Sequence, residues 1–245
     1  MMLIDLVTIS FQFWVSTNWL VAFLMSLAVN LFTYFSVAYF LYFITSYLAK
    51  SGAGVFLDQR PLYKGQIRNE IKYSIGACVL FSIASLITRL LYSSIWPESI
   101  LSLVIQLLAF TVFYESYSYF IHRLLHLKIF RSVHYVHHKS VRVTPWSAYC
   151  VHPIEAAFIA FSAPIFMILF PMSLSVILTF HIIGMAFTML IHSNFSLNRT
   201  NVISKLVNTY TSGHALHHHK GSVNYGFVSP LWDMLFRTNN RVEYT

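Results

Sequence analysis

Hydrophobic and polar positions alternate along this chain in blocks, not in the short periods of amphipathic helices or strands. Residues 19–48 run without a charge, from Trp19 to Leu48, and a second apolar block covers Tyr73 to Tyr92. A third runs from Ser99 to Phe120, and two shorter limbs, Ile154 to Phe170 and Leu174 to Ile191, flank Pro171. Runs of about 20 apolar residues match the ~30 Å hydrocarbon core of a bilayer at 1.5 Å per helical residue. The first block exceeds that length, so tilt or a protruding end is expected. Each of the last two limbs would be only about 26 Å long, which leaves two short spans or a re-entrant hairpin. Met1 to Val15 is apolar and aromatic and fits an interfacial segment ahead of the first span. The predicted fold is therefore all-α, a polytopic membrane helical bundle of about four to five spans or with a re-entrant hairpin.

Gly52, Gly54 and Pro61 break the polar loop from Lys50 to Lys72, and Trp96-Pro97-Glu98 forms a turn. Arg89, near a span end, reads as a snorkelling side chain. Residues 1–97 are expected to form N-terminal anchor helices, and 98–245 a catalytic region.

Composition agrees: 57% of the 245 residues are hydrophobic and only 10% charged, against about a quarter charged in soluble domains. The net charge of +8 raises the question of nucleic acid, but its distribution answers it. Fifteen of the sixteen Lys and Arg lie in residues 49–73, 121–153 and 193–245. Counting crossings puts all three blocks on one side, which the positive-inside rule makes cytoplasmic. Cys78 and Cys150 form no disulfide framework.

Those basic blocks also hold the chemistry. His122 and His126 are one helical turn apart. His134, His137 and His138 form a His-x-x-His-His group, repeated by His214, His217 and His218. Imidazoles in sequence-distant groups point to metal ligands converging in a histidine-rich cytoplasmic cap. His192, at the cytoplasmic end of the last limb, joins them. His152, ahead of Pro153, is a further expected ligand. His219 points away from His214, and His181 lies too deep. Ten imidazoles exceed one zinc site and suit two ions with four or five nitrogens each, although imidazole alone does not choose between iron, zinc, copper and nickel. Few carboxylates are near. Glu115, Glu155 and Asp233 are expected to orient the imidazoles from behind.

The stretches ESYSYFIHRLLH, HYVHHKS, HPIE, HALHHHKGSVNYG and LWDMLFRT together resemble the fatty acid hydroxylase / sterol desaturase superfamily over residues 107–240. Asn224-Tyr225-Gly226 and Trp232-Asp233 follow the histidine groups in the family's order, which makes Asn224 a supporting residue too. The resemblance implies a membrane di-iron centre and O2-dependent hydroxylation or desaturation of a lipid C–H bond. The implied ligands are His122, His126, His134, His137, His138, His214, His217 and His218, with His192 as the intervening histidine. Thr188 stands where some members have another histidine, and Arg237 where many have glycine.

The implied substrate is a lipid (fatty acyl, sterol or related), and the electrons come from a separate donor protein. The implied setting is the cytoplasmic face of a bacterial inner membrane or of the endoplasmic reticulum. Two rival readings are a di-zinc membrane hydrolase, which would usually show His-Glu-x-x-His, and a b-type haem electron carrier, which needs facing histidines in mid-membrane.

Overall fold

Polar residues at the ends of apolar blocks set where the helices begin. In the computed structural model, which describes residues 2–240, α1 (Met2–Ser16) ends just before Asn18, whose side chain accepts from Val21 N at 2.9 Å and starts α2 (Trp19–Lys50). Such a cap satisfies a backbone donor that the first helical turn leaves free. A short strand β1 (Gly54–Phe56) leads to α3 (Gln66–Leu91). Ser99 caps α4 (Ile100–Leu125), which carries the third apolar block straight into the first histidine pair. Then come α5 (Arg131–His138), a 3-10 turn at Pro145–Tyr149, α6 (Pro153–Ala160), α7 (Ser162–Leu169) and α8 (Leu174–Ile191). Strand β2 (Phe195–Leu197), α9 (Val202–Lys220), capped by Asn201, and α10 (Leu231–Leu235) complete the described chain.

Among the described residues, α2, α3, α4 and α8 are long and apolar enough to cross a bilayer, and the molecule is an all-α membrane bundle. α2, with 32 residues, is about 48 Å long and overshoots the hydrocarbon core. The limb expected at 154–170 is broken at Phe161. Pro164 explains the break: it has no N–H for the Ala160 carbonyl four residues back, and its ring crowds that carbonyl. The two halves pack on α3, and α7 also packs on α4.

Hydrogen bonds define the two ends of the bundle. At one end β1 pairs antiparallel with β2, Val55 opposite Ser196. Gly54 is required there, because a Cβ would overlap the Phe195 ring and the Ser196 carbonyl. At the other end Ser93 N donates to Met172 O and Leu174 N to Ser94 O, at 3.0 and 2.9 Å. Trp96 Nε1 donates to Thr8 Oγ1 at 2.8 Å, which seats α1 across that end. Arg89 donates to the Thr17 carbonyl and lies over the Trp19 ring. The three basic loops therefore share the β1–β2 end.

The core lies between α2, α3, α8 and the 3-10 turn, where Tyr34, Phe81, Trp146, Tyr149 and Met189 are buried together. Tyr34 Oη and Ser74 Oγ both donate to the Trp146 carbonyl, at 3.0 and 3.2 Å. This fixes the turn between α5 and α6 against the spans. The outward faces of α2 and α4 expose Phe32, Phe40, Phe43, Ile100, Leu108 and Val112, as a lipid-facing surface should.

Candidate metal centre

Four elements deliver imidazoles to the β1–β2 end. α4 brings His122 in its last turn and His126 as its C-cap; α5 brings His134, His137 and His138. His192 is the C-cap of α8, and α9 brings His214, His217 and His218. Their ring nitrogens form two groups, each with all chosen atoms within 4.8 Å: His122, His126, His134, His138 and His217, and His137, His192, His214 and His218. Helix geometry permits the split, and packing between helices selects it. Neighbouring residues on a helix point about 100° apart, whereas residues four apart share a face. Each His-His pair therefore gives one ring to each group. His134 with His138, and His214 with His218, stay together.

The spacing fits bound metal. In the first group His126 Nε2 lies 3.2 Å from His217 Nε2 and 3.1 Å from His134 Nε2, and His217 Nε2 lies 3.1 Å from His138 Nε2. In the second, His214 Nε2 is 2.9 Å from His192 Nε2 and 3.1 Å from His218 Nε2, and His192 Nε2 is 3.3 Å from His137 Nε2. Nitrogens about 2.0–2.1 Å from one ion would be about 2.9 Å apart at right angles and ~3.4 Å at the tetrahedral angle.

Several rings are also held in the tautomer that metal requires. His122 Nδ1 donates to Tyr225 O, His217 Nδ1 to Val223 O and His192 Nδ1 to Thr188 O, at 2.8, 2.7 and 2.7 Å. His134 Nδ1 donates to Glu155 Oε1 at 2.9 Å. With Nδ1 carrying the proton, Nε2 presents a bare lone pair. His122 Nε2 is buried without a partner among the described residues. Four rings fixed in this way, the other five at ligand spacing around them and an unpartnered His122 Nε2 make a donor set that fits the metal its pattern implies. Burial holds His126 and His192 down at about 4 and His138 at about 3. Burial and then the neighbouring imidazoles push His214, His217 and His218 far below the usual range. All stay neutral at physiological pH.

The sequence model of the fatty acid hydroxylase family matches residues 107–238, more than half of the chain and every one of these histidines. The chain belongs to the fatty acid hydroxylase family. This is a family of lipid-acting oxidoreductases, and its curated relatives act on sterols by name. Human (Homo sapiens) lathosterol oxidase is 29% identical over 213 residues, covering 81% of this chain and 70% of that protein. The Delta(7)-sterol 5(6)-desaturases of Candida glabrata and Saccharomyces cerevisiae are 26% and 27% identical over 221 and 202 residues, covering 83% and 78% of this chain. The chain spans 58% and 53% of those two fungal proteins. No solved structure matches.

Of the ten histidines expected as ligands in this member of the family, the structure brings nine together. His152 is the correction. It is the N-cap of α6, where its Nδ1 accepts from Ile154 N at 3.2 Å, and it belongs to neither group. A His152→Ala variant should keep its full metal content and lose under about 1 kcal/mol of stability, the scale of one helix cap. His219 is exposed. His181 bonds Asn30 instead of a facing histidine, which removes the basis for the haem-carrier reading.

The supporting residues divide by what they touch. Glu155 accepts from His134 Nδ1 directly. Glu155→Gln puts an amide where the carboxylate was and should weaken metal binding about 10–100-fold, measured by chelator competition. Asn224 and Asp233 act one step back. Asp233 accepts from Tyr225 N and Gly226 N at 2.9 and 2.7 Å, fixing the carbonyl that His122 needs. Asn224, at φ 54, ties that loop to Gly213 O and Asn240. Gly226 leaves no room for a Cβ against Ser229 O and Asp233. Arg237 sits at φ 57, a left-handed conformation that glycine adopts without steric cost.

Glu115 departs from expectation. It accepts from Ser229 N and from Ser229 Oγ, the latter at 2.8 Å, and bonds no histidine. It clamps the C-terminal segment to α4. Glu70 escaped the sequence reading altogether. Fully buried, it accepts from Gln66 Nε2, Ser140 Oγ and Thr144 Oγ1 at 2.7, 2.8 and 2.6 Å, and so anchors the segment that follows α5 to α3.

One cavity adjoins the centre and a second adjoins the first. One of about 60 Å³ touches His122, His137, His192 and Glu155, with Phe227 and Tyr117 also on its wall. A larger one of about 250 Å³ runs into the bundle. Tyr114, Tyr149 and Ile159 line both.

Proposed function

We propose that this chain is a membrane lipid hydroxylase or desaturase whose nine clustered histidines hold two iron ions, with O2 as co-substrate. Ligands of one ion are His122, His126, His134, His138 and His217; those of the other are His137, His192, His214 and His218. The observation that carries this reading is the gathering of nine imidazoles into two adjacent groups at metal-ligand spacing, with Nδ1 of four of them tied to protein oxygens. Iron bound there would supply O2 activation with electrons from outside, chemistry strong enough for an unactivated C–H bond.

The chain itself does the rest. Carbonyls of Thr188, Val223 and Tyr225, together with Glu155, keep the rings in register before metal or substrate arrives. Phe227, its ring stacked 4.9 Å from His122, keeps water from the wall that faces the lipid. The lipid enters through the larger cavity, and its reacting carbon stops beside Tyr114 and Tyr149. The basic end lies on the cytoplasmic side, in a bacterial inner membrane or the endoplasmic reticulum, and a separate donor protein docks there.

The test is lipid profiling of cells that produce the wild-type chain or a His214→Ala form, under 18O2. A lipid that gains one labelled oxygen or loses two hydrogens only with the wild type supports the reading. Identical profiles, or oxygen drawn from water, contradict it.

A further inference from the structure

The larger cavity is apolar but has a deliberate polar point in its wall. No Asp, Glu, Lys or Arg lines it, so whatever occupies it is neutral along the enclosed length. Apart from the Tyr114 and Tyr149 hydroxyls at the end nearest the histidine centre, its polar side chains other than His181 are spent. Ser10, Ser26 and Ser162 each donate to a carbonyl of their own helical turn, as do Ser85 and Thr88. Trp14 Nε1 donates to Ala22 O and Ser26 Oγ.

His181 is different. Asn30 Nδ2 gives its protons to Ser26 O and Ser82 Oγ, at 2.9 and 3.1 Å. Asn30 Oδ1 is therefore an acceptor, and His181 Nε2, 2.7 Å away, must be the donor. That fixes the tautomer and leaves His181 Nδ1 as an acceptor. It bonds to none of the described residues, and it is not sealed from space as the truly buried unpartnered atoms are. His181 lines the cavity, its ring edge-on to Phe81 at 5.5 Å. An oriented imidazole with a free acceptor inside a neutral, membrane-depth cavity is costly unless a ligand donates to it.

We propose that His181, oriented by Asn30, receives the hydroxyl of a neutral lipid alcohol bound in this cavity. This rests on the reading above that the cavity holds the lipid. His181 precedes His192 by eleven residues on one helix, about 16 Å of rise. The hydroxyl and the reacting carbon, which stops beside Tyr114 and Tyr149 where the two cavities share their wall, are separated by less than that length. Both a rigid polycyclic alcohol and a long-chain alcohol have the required chemistry.

Binding to detergent-purified full-length protein tests this without turnover, iron or oxygen. Tritiated cholesterol and tritiated octadecanol are each competed by the unlabelled alcohol or by the matching hydrocarbon, cholestane or octadecane. In at least one arm the wild type should prefer alcohol over hydrocarbon by about three- to tenfold, the worth of one hydrogen bond; the arm that responds identifies the class. His181→Phe should abolish the preference, while His181→Gln, which keeps a donor for Asn30 and an acceptor for the ligand, should restore part of it. Hydrocarbons that compete as well as alcohols in both arms of the wild type overturn the proposal, a comparison that needs no variant to fold. A preference that survives in His181→Phe overturns it as well. Because the readout is independent of metal, failure here leaves the iron reading standing, and failure of the iron reading leaves this result interpretable.

Discussion

A His217→Ala chain is expected to fold, to lose the metal of the five-histidine group and to turn over lipid more than a hundredfold more slowly. His217 is fully buried, and its Nε2 lies 3.2 and 3.1 Å from those of His126 and His138. Its Nδ1 holds the Val223 carbonyl. The substitution removes a nitrogen from the centre and also releases the loop that fixes His122. Loss of an outer hydrogen-bond partner of a ligand typically costs about 10–100-fold, and loss of the ligand itself should exceed that. The control is two positions along the same helix. His219→Ala changes an exposed ring and should leave metal content and product formation unchanged. If both variants lose activity alike, damage to α9 and not the position of the imidazole is responsible.

The second large effect is expected at Glu70, far from the histidines in sequence. Glu70→Leu leaves Gln66, Ser140 and Thr144 without their shared acceptor in a buried setting; at about 1–3 kcal/mol per stranded group, and with part recovered as the hydroxyls turn, the loss should be about 3 kcal/mol or more. Because α5 serves both histidine groups, freeing the segment after it should lower metal occupancy at both together. Glu70→Gln keeps an acceptor and should sit between wild type and Leu. Thermal unfolding of the metal-free protein in detergent reads the first effect; metal content at fixed free iron reads the second. A Glu70→Leu chain with wild-type melting would mean that the buried carboxylate contributes nothing to the fold.

What the sequence made legible was set by spacing within single helices. The intervals at 122/126, 134/137/138 and 214/217/218 fix which rings share a helix face, and the apolar blocks fix the spans that carry them. How rings from different helices group depends on packing between α4, α5, α8 and α9, so the crosswise partition of His137 from His138 and of His217 from His218 was out of reach. His152 shows the same limit from the other side. A histidine before Pro153 reads equally well as a ligand or as a helix cap, and only its position in space separates the two. Glu70 was hidden by its neighbours: Arg68 and Lys72 make it look like one charge of a solvated loop, while its two hydroxyl partners lie about 70 residues downstream. The break at Phe161 was signalled by Pro164, but whether a proline kinks a helix or parts it is decided by what packs around it.

Iron stoichiometry tests the central claim most directly. Full-length chain purified in detergent, loaded with ferrous iron without oxygen and freed of excess, should carry two irons. His217→Ala and His214→Ala, each touching a different group, should carry about one apiece. One iron or none in the wild type, or two that survive both substitutions, would contradict the account.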